Sequence, residues 1–214
     1  MTSQIDDPVC HSARRFNIAG ISGKRLFTPD DVGLRVAMLG SHCWHGYYCD
    51  YIIRDDRILL AKVSFGLHDE DRDLAESGKG PVCFGTVPKR DLQEPVPRLV
   101  GERARAGKKI ANKYWSNWYF APDYPIDFSG GLLIATDFIE EMYVHMGFAA
   151  AYSYREVHEL VFEGGKLISE SDRSGEMSEF RTMLGEQPIL SRDDENFEEI
   201  EQWVAQTFSR DFRW

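Results

Sequence analysis

Residues 128–169, FSGGLLIATDFIEEMYVHMGFAAAYSYREVHELVFEGGKLIS, contain the pattern that decides the fold. Two runs rich in apolar residues, 152–162 and 166–169, flank the pair Gly164-Gly165. Two successive glycines readily take the positive φ angles that a two-residue hairpin loop requires. The stretch therefore predicts a β-hairpin.

A second hairpin of the same design is predicted over residues 43–65. The segment WHGYYCDYIIR is followed by Asp55-Asp56 as a turn and then by RILLAKVSF. Tyr, Ile and Val suit the pleated, half-buried surface of a strand. Both hairpins place a charged residue, two turn residues and a basic residue in succession, which indicates a pseudo-repeat. Two such hairpins can face one another across a core in a sandwich or a bent barrel.

The rest of the chain is predicted to complete one domain over residues 1–214. Residues 1–12 are expected to be poorly ordered, and residues 68–125, which hold six of the nine prolines, to form a long irregular connection. Two C-terminal helices are predicted, one from the spacing of apolar residues over 177–184 and one over 193–208. We expect a mainly β (α+β) fold, an antiparallel sandwich or bent barrel with a C-terminal helix.

Composition narrows the classes of function. The net charge of -10 favours a basic partner and argues against nucleic acid as the main one. No apolar run approaches the roughly 18 to 20 residues that span a bilayer, so no membrane role is expected. The N-terminus lacks the apolar core of a secretory signal, and four scattered cysteines do not form a disulfide framework. These features predict a cytoplasmic protein with free thiols and no cofactor.

The densest group of reactive residue types surrounds Cys43 and His45. In an extended strand these two side chains share a face about 6.6 Å apart, so both could reach one metal ion. A closed zinc site would need two further ligands, and no C-x-x-C pair supplies them. The alternative is that both are half-buried strand residues.

His145 is the centre of a possible acid-base site. It precedes Tyr154, Glu156 and His158, which share one face of the predicted hairpin strand. Histidine, tyrosine and glutamate could exchange protons if the fold brings them together. The alternative is that His145 is a hydrogen-bonded packing residue among aromatics.

Trp115, Trp118 and Tyr119 follow a basic segment, residues 88–113, that holds eight basic residues against three acidic ones. Cations beside aromatic rings suit single-stranded nucleic acid or a carbohydrate. With His145, these aromatics are the candidate ligand-binding residues. The alternative is a core strand anchored by aromatics beside a basic loop.

Several short segments together resemble a group of uncharacterised bacterial β-rich proteins that have no established activity. They are Trp44, Gly46-Tyr47 and IRDDR at 53–57 in the first hairpin, then FSG at 128–130, YVHMGF at 143–148 and YRE at 154–156. The resemblance covers about half of the chain. It implies a bacterial cytoplasmic setting and a shared β fold, and it implies no reaction.

Two functions from different classes remain open. The acidic charge and the absence of a complete catalytic motif favour a non-enzymatic interaction domain, of the immunity type that neutralises a basic protein. The alternative is a small-molecule or carbohydrate-binding domain, or an enzyme, with its pocket near His145.

Overall fold

The computed structural model describes residues 4–91, 118–143 and 147–185. Two α-helices occur in this part of the chain, α1 (Asp69–Glu76) and α2 (Ser174–Gly185). It also contains ten strands, which are β1 (Pro8–His11), β2 (Arg14–Gly23), β3 (Tyr47–Arg54), β4 (Arg57–Phe65), β5 (Lys89–Arg90), β6 (Trp118–Phe120), β7 (Tyr124–Pro125), β8 (Gly130–Phe138), β9 (Tyr154–Glu163) and β10 (Lys166–Asp172).

Seven of the strands close into a barrel, in the order β10-β9-β8-β2-β1-β3-β4 and back to β10. Strands β5, β6 and β7 extend the sheet outside this ring. The described pairings are antiparallel except for β1 with β3, which run parallel. The predicted class, a mainly β bent barrel with a C-terminal helix, is confirmed.

Both predicted hairpins are present. Asp55 and Asp56 turn the chain between β3 and β4 with φ angles of 50° and 56°, and Gly164 and Gly165 do so between β9 and β10 with 53° and 77°. The first hairpin begins at Tyr47, four residues later than the pattern predicts. Residues 43–46 form a turn instead of a strand, because the Gly46 amide donates to the Cys43 carbonyl (3.3 Å).

The two hairpin turns meet and close the barrel. Arg57 and Lys166 are paired in register, and the Ile58 amide donates to the Gly165 carbonyl (3.0 Å). A Cβ on Gly165 would collide with the carbonyl oxygen of Ile126, so this position requires glycine. Beyond that contact, residues 169–172 of β10 pair with β9 and with no other described strand.

Apolar side chains from all sides fill the barrel. The most completely buried large ones are Phe65, Phe128, Phe162, Ile18, Leu34, Ile58, Leu60, Leu132, Ile134 and Leu160. Burying one such side chain contributes about 1.5 to 3 kcal/mol, so this cluster is the main source of stability.

A smaller cluster lies outside the barrel, where α2 covers β8 and β9. Met177 of α2 packs there with Leu133 and Val157. Arg181 donates to the carbonyls of Tyr152 (2.9 Å) and Tyr154 (2.8 Å). The helix predicted over 177–184 is therefore present as α2, whereas the one predicted over 193–208 lies outside the described residues.

The region 68–125 contains α1 and the short strands β5 to β7 in its described part. Arg90 and Trp118 are directly paired across β5 and β6. The two strands on either side of residues 92–117, which lie outside the described ranges, are therefore neighbours in the sheet. No helix in the described ranges is both long and apolar enough to cross a bilayer.

Candidate functional site

Five polar side chains meet at one end of the barrel, and we call them the barrel-end network. They are His11 of β1, Arg14 of β2, Glu156 and His158 of β9, and Glu170 of β10. His11 and Arg14 flank the two-residue turn between β1 and β2, whereas Glu156, His158 and Glu170 come from β9 and β10, so the fold assembles the network from two distant parts of the chain.

Strand alternation explains why these polar groups face inward. Val9, Phe16 and Leu160 belong to the buried core, and the network residues on the same strands lie two positions from them or, for Glu156, four. Residues two apart on a strand share a face. Glu170 lies directly opposite Leu160 in the β9–β10 ladder and faces the same way. The interior is thus apolar along most of the barrel and charged at this end.

The network is continuous from Arg14 to His11. Arg14 donates to both carboxylate oxygens of Glu156, each at 2.7 Å. His158 Nε2 lies 3.0 Å from Glu156 Oε1, and His158 Nδ1 lies 3.3 Å from Glu170 Oε1. The other oxygen of Glu170, Oε2, lies 3.0 Å from His11 Nε2. Nitrogen-bearing side chains and carboxylates therefore alternate along one chain of contacts.

The members of the network differ in exposure. The side chain of His11 is 11% exposed, that of Glu170 41% and that of Arg14 54%. Phe16 supports the network from below, because its ring meets His158 edge-on at 5.8 Å and lies 5.0 Å beneath the Arg14 guanidinium. The network is accessible to a partner while its inner members are fixed by the core.

The carboxylates at this end are held in the ionised form. Hydrogen bonds from Arg14, and then from His158, lower the pKa of Glu156 to about 2. Asp172, which lies opposite His158 in the β9–β10 ladder, has a lowered pKa because the side chain and backbone of Ser174 donate to it. Both groups therefore carry negative charge throughout the physiological range.

The structure brings together only part of the predicted acid-base set. Glu156 and His158 are in contact, whereas the Tyr154 ring packs in the cluster beneath α2 and its hydroxyl donates to Asp6 (3.2 Å). His145 lies outside the described residues. Its neighbour Gly147 accepts a hydrogen bond from the Gln4 amide (2.9 Å).

Cys43 and His45 are placed in the turn that precedes β3. The Cys43 thiol donates to the Tyr47 carbonyl (3.1 Å), and burial raises its pKa to about 11. The His45 ring meets Tyr47 edge-on at 4.9 Å and lies 6.3 Å from the ring of Phe148. Across the described ranges, no group of three or more His, Cys, Asp or Glu side chains could hold a metal ion.

The aromatic candidates are divided by the faces of β6. Trp118 is 4% exposed and belongs to the barrel core. Tyr119 is half-buried on the opposite face, with the Lys62 ammonium 4.6 Å from its ring centroid and Asp91 bound to that ammonium at 2.7 Å. Trp115 lies outside the described residues.

Sequence reasoning missed His11, Arg14 and Glu170. Alternation could have indicated the first two, since His11 lies two residues after Val9 and Arg14 two before Phe16. Glu170 could not be found in this way. A register shift between Leu167 and Ser169 changes the parity of β10, so that Leu167 and Glu170, three residues apart, both face inward.

Comparison of the chain with protein-family models, with curated proteins and with solved structures finds no match. The function is therefore inferred from the contacts and charges of this chain alone.

Proposed function

We propose that this protein is a non-enzymatic interaction domain, of the immunity type, that binds a basic protein at the acidic end of its barrel. The observation that carries the proposal is the position of Glu156, Glu170 and Asp172. Ladder register and strand alternation place all three carboxylates on the same face at the same barrel end. They offer arginine and lysine side chains a set of charged acceptors.

The distribution of charge along the chain supports the same proposal. Residues 118–143 and 147–185, which include β8 to β10 and α2, hold twelve acidic residues and four basic ones. Residues 4–91 are nearly balanced, with thirteen acidic and twelve basic residues. Such an asymmetry attracts a basic partner over long distances and increases its association rate.

Binding fits the protonation states of these groups better than catalysis does. A general acid or base works best when its pKa lies near the working pH, and Glu156 with a pKa of about 2 is far below it. Cys43 with a pKa of about 11 remains a thiol at neutral pH, and the thiol is a poor nucleophile. Fixed charge at Glu156 is suited to holding a cation.

The proposal is tested by capture of a partner with matched charge variants. The tagged protein is incubated with lysate of its own cells at low and at physiological salt, and bound proteins are identified by intact mass. We expect one stoichiometric basic protein to be captured by the wild type and lost by the variant E156Q/E170Q/D172N.

The control for that experiment carries the same charge change elsewhere. The variant D123N/D127N/E163Q removes three exposed carboxylates that lie outside the network. It should capture the partner as the wild type does, and both variants should show a cooperative thermal unfolding transition well above the temperature of the capture experiment. Capture that survives in E156Q/E170Q/D172N, or that shows no salt dependence, would contradict the proposal.

A second candidate is a small-molecule or carbohydrate-binding domain with its pocket near His145. It is favoured by the position of Phe148, which lies against His45 and brings the end of that loop beside an aromatic pair. Native mass spectrometry of the freshly purified protein tests it. A retained small molecule, displaced in H145A but not in H68A, would support a pocket, and an unmodified mass in every sample would count against it.

A further inference from the structure

We propose that Glu170 is a pH-responsive latch, which ties residues 169–172 of β10 to β1 across the barrel end when His11 and His158 are protonated and loosens this tie when they are neutral. This inference concerns the barrel itself and does not depend on the proposed partner.

The latch acts on the part of β10 that has a neighbouring strand on one side only. Contact with β4 is limited to the start of β10, where Arg57 pairs with Lys166 and the Leu167 amide donates to the Asp56 carbonyl (2.7 Å). Residues 169–172 pair with β9 and with no other described strand. All four of these residues are exposed. The Glu170 side chain supplies the missing tie, because it reaches inward to His11 on β1, a strand that does not pair with β10.

The chemistry of the tie depends on protons. The Glu170 carboxylate contacts both imidazoles, with Oε2 beside His11 and Oε1 beside His158. The second ring nitrogen of His158 faces Glu156. A histidine donates from both nitrogens only when both carry protons. After His158 loses one proton, one of its ring nitrogens presents a lone pair to a carboxylate, and that contact becomes repulsive. At His11, loss of the charge reduces the contact with Glu170 from an ion pair to, at most, a neutral donor's hydrogen bond.

The other charged groups that face the two imidazoles do not switch over the same range. Arg14 of β2, which is paired with His11 across the β1–β2 ladder, is a permanent cation, and its bidentate contact keeps Glu156 of β9 ionised. Asp172 of β10 is kept ionised by Ser174, and Ser12 beside His11 carries no charge. Imidazole is the side chain that ordinarily changes charge between pH 5 and 8, so it controls the latch.

Hydrogen exchange of the whole protein measures the state of the latch. Exchange is followed by mass spectrometry at pH 5.5, 6.5, 7.5 and 8.5, and each rate is divided by the intrinsic chemical rate at that pH. We expect peptides covering residues 166–173 to be about fivefold better protected at pH 5.5 than at pH 8.5, which is the ratio expected for about one hydrogen bond. Peptides within residues 57–65 of β4 should show no such change.

Three variants separate the latch from a general effect of pH on stability. E170Q retains the shape of the side chain without its charge and should abolish the pH response at residues 166–173. E163Q removes an exposed carboxylate of β9 outside the network and should respond as the wild type does. H11Q/H158Q, used if E170Q fails to fold, removes both imidazoles that contact Glu170 and should also abolish the response. A wild-type protein with pH-independent protection of β10, or an E170Q or H11Q/H158Q variant that keeps the response, would overturn the proposal.

Discussion

The two hairpins of the barrel share one turn design and differ in what their inner faces carry. Along β3 and β4 the inward residues are apolar from the turn to the far end and include Tyr51, Leu60 and Phe65, all buried. Along β9 and β10 the inner face is apolar near the turn, at Phe162 and Leu160, and then becomes charged. The same strand geometry therefore builds core in one hairpin and a polar site in the other.

The ionisable groups of the two hairpins are perturbed in opposite directions. Around β3, burial raises the pKa of Cys43 to about 11 and also raises the pKa values of Tyr51 and Asp50. Around β9 and β10, hydrogen-bonding partners lower the pKa values of Glu156 and Asp172. Removal from water disfavours the charged form of an acidic group, whereas hydrogen bonds donated to a carboxylate favour its charged form. The candidate site therefore lies at β9 and β10, where the carboxylates accept hydrogen bonds and remain accessible to water.

The largest effects are expected where the hairpins are alike. We predict that Phe65→Ala and Phe162→Ala each lower the free energy of unfolding by about 3 to 5 kcal/mol, because each ring is fully buried and leaves a cavity. Urea unfolding measured by tryptophan fluorescence tests this, with Tyr124→Ala, an exposed aromatic residue, as the control. A loss below about 1 kcal/mol at either phenylalanine would show that its hairpin does not carry the core.

The turns provide the next effect. We predict that Gly165→Ala destabilises the fold by more than about 2 kcal/mol, because the new Cβ meets the Ile126 carbonyl as well as a positive φ angle. Gly164→Ala is the matched control, since its Cβ has ordinary van der Waals space and only the φ angle is unfavourable, at about 1 kcal/mol. Equal losses in the two variants would show that the closing contact of the barrel is not tight.

A smaller, pH-dependent effect is expected at Glu156. Its pKa in the folded protein is lowered from 4.5 to about 2, so its contribution to stability is complete above pH 4.5 and is lost as the pH falls towards 2. We predict that Glu156→Gln lowers the free energy of unfolding by about 0.5 to 1 kcal/mol at pH 6 and that this difference from the wild type disappears near pH 2. Urea titrations at several pH values measure it, and Glu163→Gln should show no such trend.

The last prediction concerns the chemical reactivity of the Cys43 thiol, which lies just before the first hairpin. With a pKa of about 11, roughly one Cys43 in a thousand is a thiolate at pH 8. We predict that iodoacetamide leaves Cys43 unmodified in the native protein at pH 8 and modifies it fully in about 6 M guanidinium, which unfolds most small domains. Peptide mass spectrometry of both samples measures the extent of modification. Rapid alkylation of native Cys43 would contradict the burial that distinguishes this region.

The sequence was sufficient to predict elements whose signal is local. Gly164-Gly165 and Asp55-Asp56 determine turns by their own φ angles, and the apolar spacing that starts at Met177 predicts α2. Of the barrel-end network, only the pair Glu156 and His158 on one strand could be predicted, because the rest depends on which strands become neighbours. His11 and Glu170 are 159 positions apart in the chain, and the register shift before Ser169 hides the inward direction of Glu170.

The pairing of Arg90 with Trp118 makes the barrel a natural scaffold for engineering. Because Arg90 and Trp118 are neighbours in the sheet, the distance that an intervening segment must bridge is short. Loop-closure entropy grows only slowly with length, so the entropic cost of bridging these two residues depends little on the size of the segment between them.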